Sequence, residues 1–141
     1  MVSEVKDISI IVAGIIAVLG FLATATEYFR RGRQERAQHF LELRRRFLET
    51  PEFKILLNKL QTNDPTIAQD NIQERRNLVG FLEEVALLYE AKLLTRQVAH
   101  YMFGYYVRLV AQSKHFWVGL DPESSYWTVF WRFAKELEVA N

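Results

Sequence analysis

The sequence predicts an all-α protein: a single N-terminal transmembrane helix followed by a cytoplasmic bundle of four to five helices. Three observations predict it. Residues 8–26, ISIIVAGIIAVLGFLATAT, run for nineteen positions without a charge. Downstream, apolar residues recur at steps of three and four, the period of a helix. No segment alternates apolar and polar residues between hairpin turn signals, as a strand would.

Residues 1–7 form a short polar lead, and the span is placed at residues 8–29. At about 1.5 Å per residue its uncharged part reaches about 28 Å, close to the ~30 Å hydrocarbon core of a bilayer. Ala23-Thr24-Ala25 also fits the cleavage pattern of a signal peptide, but Glu4, Lys6 and Asp7 leave the lead without the positive charge such a peptide needs. A soluble core helix would show a polar face, which Ser9, Thr24 and Thr26 do not make. Seven arginines lie at positions 30–46 against Lys6 upstream. Positive charge stays on the cytoplasmic side, so the N-terminus is expected outside the inner membrane and the C-terminal domain in the cytoplasm. Ala13, Ala17, Gly20 and Thr24 share one helix face. Small residues let helices approach closely in lipid, so this stripe is expected to pack against other copies or to line a lumen between them.

Residues 30–50 read as a basic juxtamembrane helix continuous with the span, with Gly32 the one point where it would bend. Tyr28 and Phe29 suit the interface, and Arg30, Arg31, Arg33 and Arg36 are expected to meet lipid headgroups. Residues 51–141 form the helical domain. Thr50-Pro51 starts a helix with Phe53, Leu56, Leu57 and Leu60 inward. Residues 61–65 turn, and residues 66–74 are polar and helical in tendency. The next helix turns Leu78, Phe81, Leu82, Val85, Ala86 and Leu93 inward and Glu83 and Glu84 outward. Thr95 caps an aromatic helix from Arg96 to Ser113, and residues 115–120 form a loop. Asp121-Pro122 opens a last helix to about Val139, with Tyr126, Val129, Phe130, Phe133 and Leu137 inward.

Charge and composition narrow the chemistry. The chain has no cysteine, which excludes disulfides and thiolate metal sites. Its three histidines, His39, His100 and His115, are scattered, and none has a carboxylate at i±3 or i±4 that completes a recognisable ligand set, so no metal is expected. There is no glycine-rich phosphate cradle, and no cofactor is expected. Residues 27–46 carry seven Arg against three Glu, whereas residues 47–141 carry ten basic and twelve acidic side chains. The distal domain therefore lacks the charge of a nucleic-acid binder. Aromatics exceed what a small core holds, so Tyr101, Tyr105, Trp117, Trp127 and Trp131 are expected at an oligomer interface.

Three resemblances extend this reading. The run Arg75-Arg76-Asn77-Leu78-Val79-Gly80-Phe81-Leu82-Glu83-Glu84, the Leu93-Leu94 link, Tyr105-Tyr106-Val107-Arg108 and the closing Trp127-to-Trp131 helix resemble a bacterial family of unknown function. Its members have one N-terminal span and a helical domain. In architecture the chain is similar to the HEPN-like membrane pore accessory proteins of CRISPR systems. That likeness implies a homo-oligomeric pore in antiviral defence with a CRISPR effector or another cytoplasmic protein as partner. Arg33 and His39 form an R-x5-H spacing that resembles the catalytic element of HEPN ribonucleases. The other reading of the pair is a headgroup-facing arginine and a histidine on a helix flank, and the chain is not expected to be an enzyme. A non-conducting membrane tether for a cytoplasmic partner is the alternative to the pore.

Overall fold

The computed structural model describes residues 2–138, and every regular element among them is helical. The chain divides into two compact units, Met1–His39 and Phe40–Asn141. Helix α1, Val2–Glu49, supplies the first unit and contributes its last residues to the second. Neither residues 2–7 nor Gly32 interrupts it.

In the second unit α1 contributes the buried Leu43 and Phe47. Phe47 stacks on Phe81 with ring centroids 5.5 Å apart and meets Phe103 and Tyr106 edge-on at 5.2 and 5.1 Å. One ring thus joins three stretches of sequence, in geometries that aromatic quadrupoles favour. Helix α2, Pro51–Gln61, begins with proline at its first position, where the missing N–H costs nothing. It buries the four residues expected, Phe53, Leu56, Leu57 and Leu60. Thr50 stands at the cap but turns its hydroxyl back to the Arg46 carbonyl.

The expected polar helix over residues 66–74 is divided. Pro65–Gln69 form a 3-10 turn, capped by Asp64 accepting from Thr66 N–H at 2.9 Å. Asn71 then accepts from the N–H groups of Gln73 and Glu74 at 2.8 and 3.2 Å and starts helix α3, Ile72–Glu90. An asparagine that caps forward cannot also continue a helix from behind. Helix α3 buries Leu78, Phe81, Leu82, Val85 and Ala86 as expected. Beyond it, Lys92 takes a positive φ of 61°, and the N–H groups of Leu93 and Leu94 both return to Leu88 O. That left-handed exit exposes Leu93 and buries Leu94, which corrects the expectation for Leu93.

Thr95 caps helix α4, Arg96–Ala99, by accepting from Val98 N–H at 3.3 Å. A π turn at His100–Gly104 leads directly into helix α5, Tyr105–Gln112. The loop after it closes around Arg75, a buried arginine of α3. Its Nη1 donates to Phe116 O at 2.7 Å and Val118 O at 2.6 Å. Its Nε donates to Asp70 O at 3.2 Å, and its Nη2 to Ala68 O at 3.4 Å. Gly119 makes the loop possible, since φ is +80° and a Cβ there would lie 3.3 Å from Ile72 Cδ1.

Helix α6, Thr128–Glu138, starts later than Pro122. Asp121 and Ser124 instead close tight turns on the N–H groups of Glu123 and Tyr126. The Trp131 indole donates to Pro122 O at 2.7 Å and fixes that segment. Tyr126, expected inward, is exposed as a result. The end expected near Val139 lies outside the described residues. Glu83, expected outside, reaches from α3 to accept the Phe130 N–H at 3.3 Å and so caps α6 from another helix. Burial raises its carboxyl above the ordinary value, and the bond from Phe130 offsets part of that rise.

Arg75→Met is expected to destabilise the domain by roughly 3 kcal/mol, because buried carbonyls lose their donor. Urea unfolding of the full chain in detergent, followed by tryptophan fluorescence, measures this. A carboxyl whose folded value is raised binds its proton more tightly when folded. The stability Glu83 contributes is therefore full below the ordinary 4.5 and lost as pH rises through its folded value. The difference in urea midpoint between the protein and Glu83→Gln should accordingly change between pH 4.5 and 7, and a flat difference would contradict the assignment.

Candidate membrane segment and juxtamembrane site

Within α1, an 18-residue window has a mean hydropathy of 2.6 and none of it is buried. This is one helix long and apolar enough to cross a membrane. Its large side chains stand bare: Ile10 is 69% and Phe21 72% exposed. Each hydroxyl of the stretch donates along the helix to a carbonyl one turn back. Ser9 reaches Val5 O at 2.8 Å, Thr24 reaches Gly20 O at 2.9 Å and Thr26 reaches Leu22 O at 2.8 Å. A hydroxyl without a partner is costly outside water, and these three have one. Ala13, Ala17, Gly20 and Thr24 are exposed along the helix, and a Cβ added at Gly14 or Gly20 would meet nothing within 4 Å.

Past the uncharged stretch, Tyr28 and Phe29 are exposed and touch edge-on, with centroids 5.9 Å apart. Glu27 accepts from Arg30 at 2.8 and 3.1 Å and from Arg31 at 3.3 Å. Arg33 and Arg36 have no carboxylate within ion-pair distance among the described residues. Arg33 and His39 are both exposed and not bonded to each other. Six residues along an α-helix separate two side chains by about 9 Å of rise and about 120° of rotation, so they do not converge on one reacting atom.

The second unit offers little to chemistry. An open cleft of about 550 Å³ is lined by Arg46, Thr50, Phe53, Gln73, Asn77 and Glu84, among others. Arg46 is paired to Glu84 there at 3.0 Å and lies over the Phe81 ring, while Glu52, Glu74 and Arg76 line the cleft without an ion pair among the described residues. No three His, Asp or Glu among the described residues are grouped to hold a metal ion. His100 has its Nε2 buried without a partner, its ring against Gly104 in the π turn.

The aromatic residues expected at an interface are divided. Trp117 is buried, donates from its indole to Val110 O at 2.9 Å and stacks on Trp131 at 5.3 Å. It belongs to the core rather than to an exposed surface. Trp127 and Trp131 are half-buried against that core, and Tyr101 and Tyr105 are exposed. Sequence reasoning missed Arg75 and the pairing of Glu27. The i+3 and i+4 spacing of Arg30 and Arg31 from Glu27 was the signal for the second. The chain matches no family, no curated protein and no solved structure.

Proposed function

We propose that this protein is a single-pass membrane protein whose α1 anchors a cytoplasmic helical domain in the inner membrane and self-associates through the Ala13, Ala17, Gly20 and Thr24 face. One observation carries the reading. An uncharged stretch of bilayer length is bare of protein contacts, and all its hydroxyls are satisfied by its own backbone. Arginines crowd the C-terminal side alone, which supports a cytoplasmic domain. The domain then acts as a displayed binding module, since Arg33 and His39 lend no support to a ribonuclease.

A conducting pore in antiviral defence is the stronger version of the same reading. The back-bonded hydroxyls favour the tether instead, because they leave little polar surface for a lumen, which would have to open by wetting an apolar constriction. Replacing residues 8–26 by an unrelated leucine-rich span separates the two: a tether keeps its cellular activity and a pore loses it.

Full-length protein in membranes should resist extraction by alkaline carbonate, and a cysteine placed at Ser3 should react with an impermeant maleimide in intact cells while one at Ser113 does not. Release by carbonate would remove the membrane reading. Gly20→Leu should shift the detergent-solubilised protein toward monomer by analytical ultracentrifugation, because a bulky side chain on the stripe keeps helix backbones apart.

A further inference from the structure

We propose that α1 binds anionic phospholipid through one cationic pair, Arg33 and Arg36, and that Glu27 withholds Arg30 and Arg31 from the same headgroups. This rests on α1 being a membrane span.

The juxtamembrane arginines are not equivalent. Arg30 grips Glu27 with two nitrogens, at 2.8 and 3.1 Å, and Arg31 adds a third bond at 3.3 Å. Glu27 thereby ties both side chains down at the level where headgroups begin, and its one negative charge offsets one of their two positive charges. Arg36 behaves differently. Its Nε donates to Gly32 O at 3.2 Å, and its Nη2 lies 4.0 Å from where a Gly32 Cβ would stand. The side chain therefore lies back along the helix toward the apolar stretch, over a residue that has no side chain to obstruct it. A long cationic side chain folded this way delivers its charge to the headgroup layer. It also keeps its outer nitrogens free of carboxylates.

The helix period places this pair on one side. At about 100° per residue, Phe29, Gly32, Arg33 and Arg36 fall within a sector of about 100°, with Glu27 on the opposite side and Glu35 on the flank, about 110° from the middle of that sector. One face thus presents an apolar ring followed by two uncompensated guanidinium groups, and Glu27, with the arginines it holds, lies away from it. Two adjacent guanidinium forks match the oxygens of a phosphodiester. A zwitterionic headgroup brings its own ammonium to the same spot, which the arginines repel. A phosphoglycerol headgroup brings none. The occupant is therefore an anionic phospholipid of the leaflet that faces the basic side.

The test uses full-length protein in nanodiscs of equal phosphatidylcholine and phosphatidylglycerol, with lipid selectivity read from spin-labelled analogues of each. The protein should prefer phosphatidylglycerol by about fivefold. Arg33→Gln with Arg36→Gln should bring that ratio near one, and Arg30→Gln with Arg31→Gln should leave it in place. Glu27→Gln should raise it, since two arginines are released. Gly32→Val keeps every charge and crowds the Arg36 guanidinium, so it should lower the ratio and thereby separate geometry from net charge. Retained preference in the Arg33/Arg36 variant overturns the proposal, as does an equal loss in the Arg30/Arg31 variant. Carbonate extraction of each variant keeps the two ideas apart. Protein released from the membrane means the span reading has failed; protein retained without lipid preference means only this inference has.

Discussion

Arg75 closes the helical domain by donating to backbone carbonyls from two separate segments. On one side lie Ala68 and Asp70, at the end of the 3-10 turn; on the other lie Phe116 and Val118, in the loop after α5. Neither segment has a regular partner for those oxygens, and buried carbonyls need one. The guanidinium supplies several donors from one rigid plane, which no other side chain can do. Its charge is held without a direct carboxylate contact. Burial pulls its pKa down and the nearby Asp70 pulls it back up, while Asp70 itself pairs with Lys59 at 2.7 Å. The aromatic cluster of Trp117, Phe130 and Trp131 then packs on a loop whose path Arg75 has fixed.

A second device works in the same way at smaller scale. Glu83 caps α6 across helices, so the start of α6 is tied to α3 rather than to its own sequence. Arg132 on Glu90 at 2.6 Å and Arg96 on Glu136 O at 3.0 Å continue that tie toward the far end of α6. The helices register through polar contacts at their ends and apolar contacts between them.

This division explains what could be read from sequence. Burial of Phe53, Leu56, Leu57 and Leu60, and the α3 face from Leu78 to Ala86, follow from helical spacing, a local property. So does the length of the apolar stretch in α1. The split at Asp70, the late start of α6, the exposed Tyr126 and the exposed Leu93 do not follow, because each is decided by a capping choice or a distant partner. Thr50 and Asp121 look like helix starts, yet neither uses its side chain to cap an α-helix, whereas Asn71, inside a stretch that reads as one polar helix, does. Trp117 falls among the residues expected at an oligomer interface because composition counts aromatic rings without showing which find a hydrogen-bond acceptor inside, as its indole does at Val110 O. Beyond the apolar stretch of α1 the arginines are legible as a block. Their division into paired and unpaired was not, since it depends on which rotamers reach Glu27 and on the empty flank of Gly32.

The hydroxyl bonds of the apolar stretch each span four residues, whereas the bonds from Arg75 to the loop after α5 span more than forty. That difference sets an order of events on the ribosome. The stretch can satisfy its own polar groups once a few turns have left the exit tunnel, so it is ready to leave water while the rest is still being made. The helical domain cannot close until Phe116 and Val118 have emerged, late in synthesis. A segment that needs nothing from the rest of the chain can settle first, whereas the domain must wait for its far end.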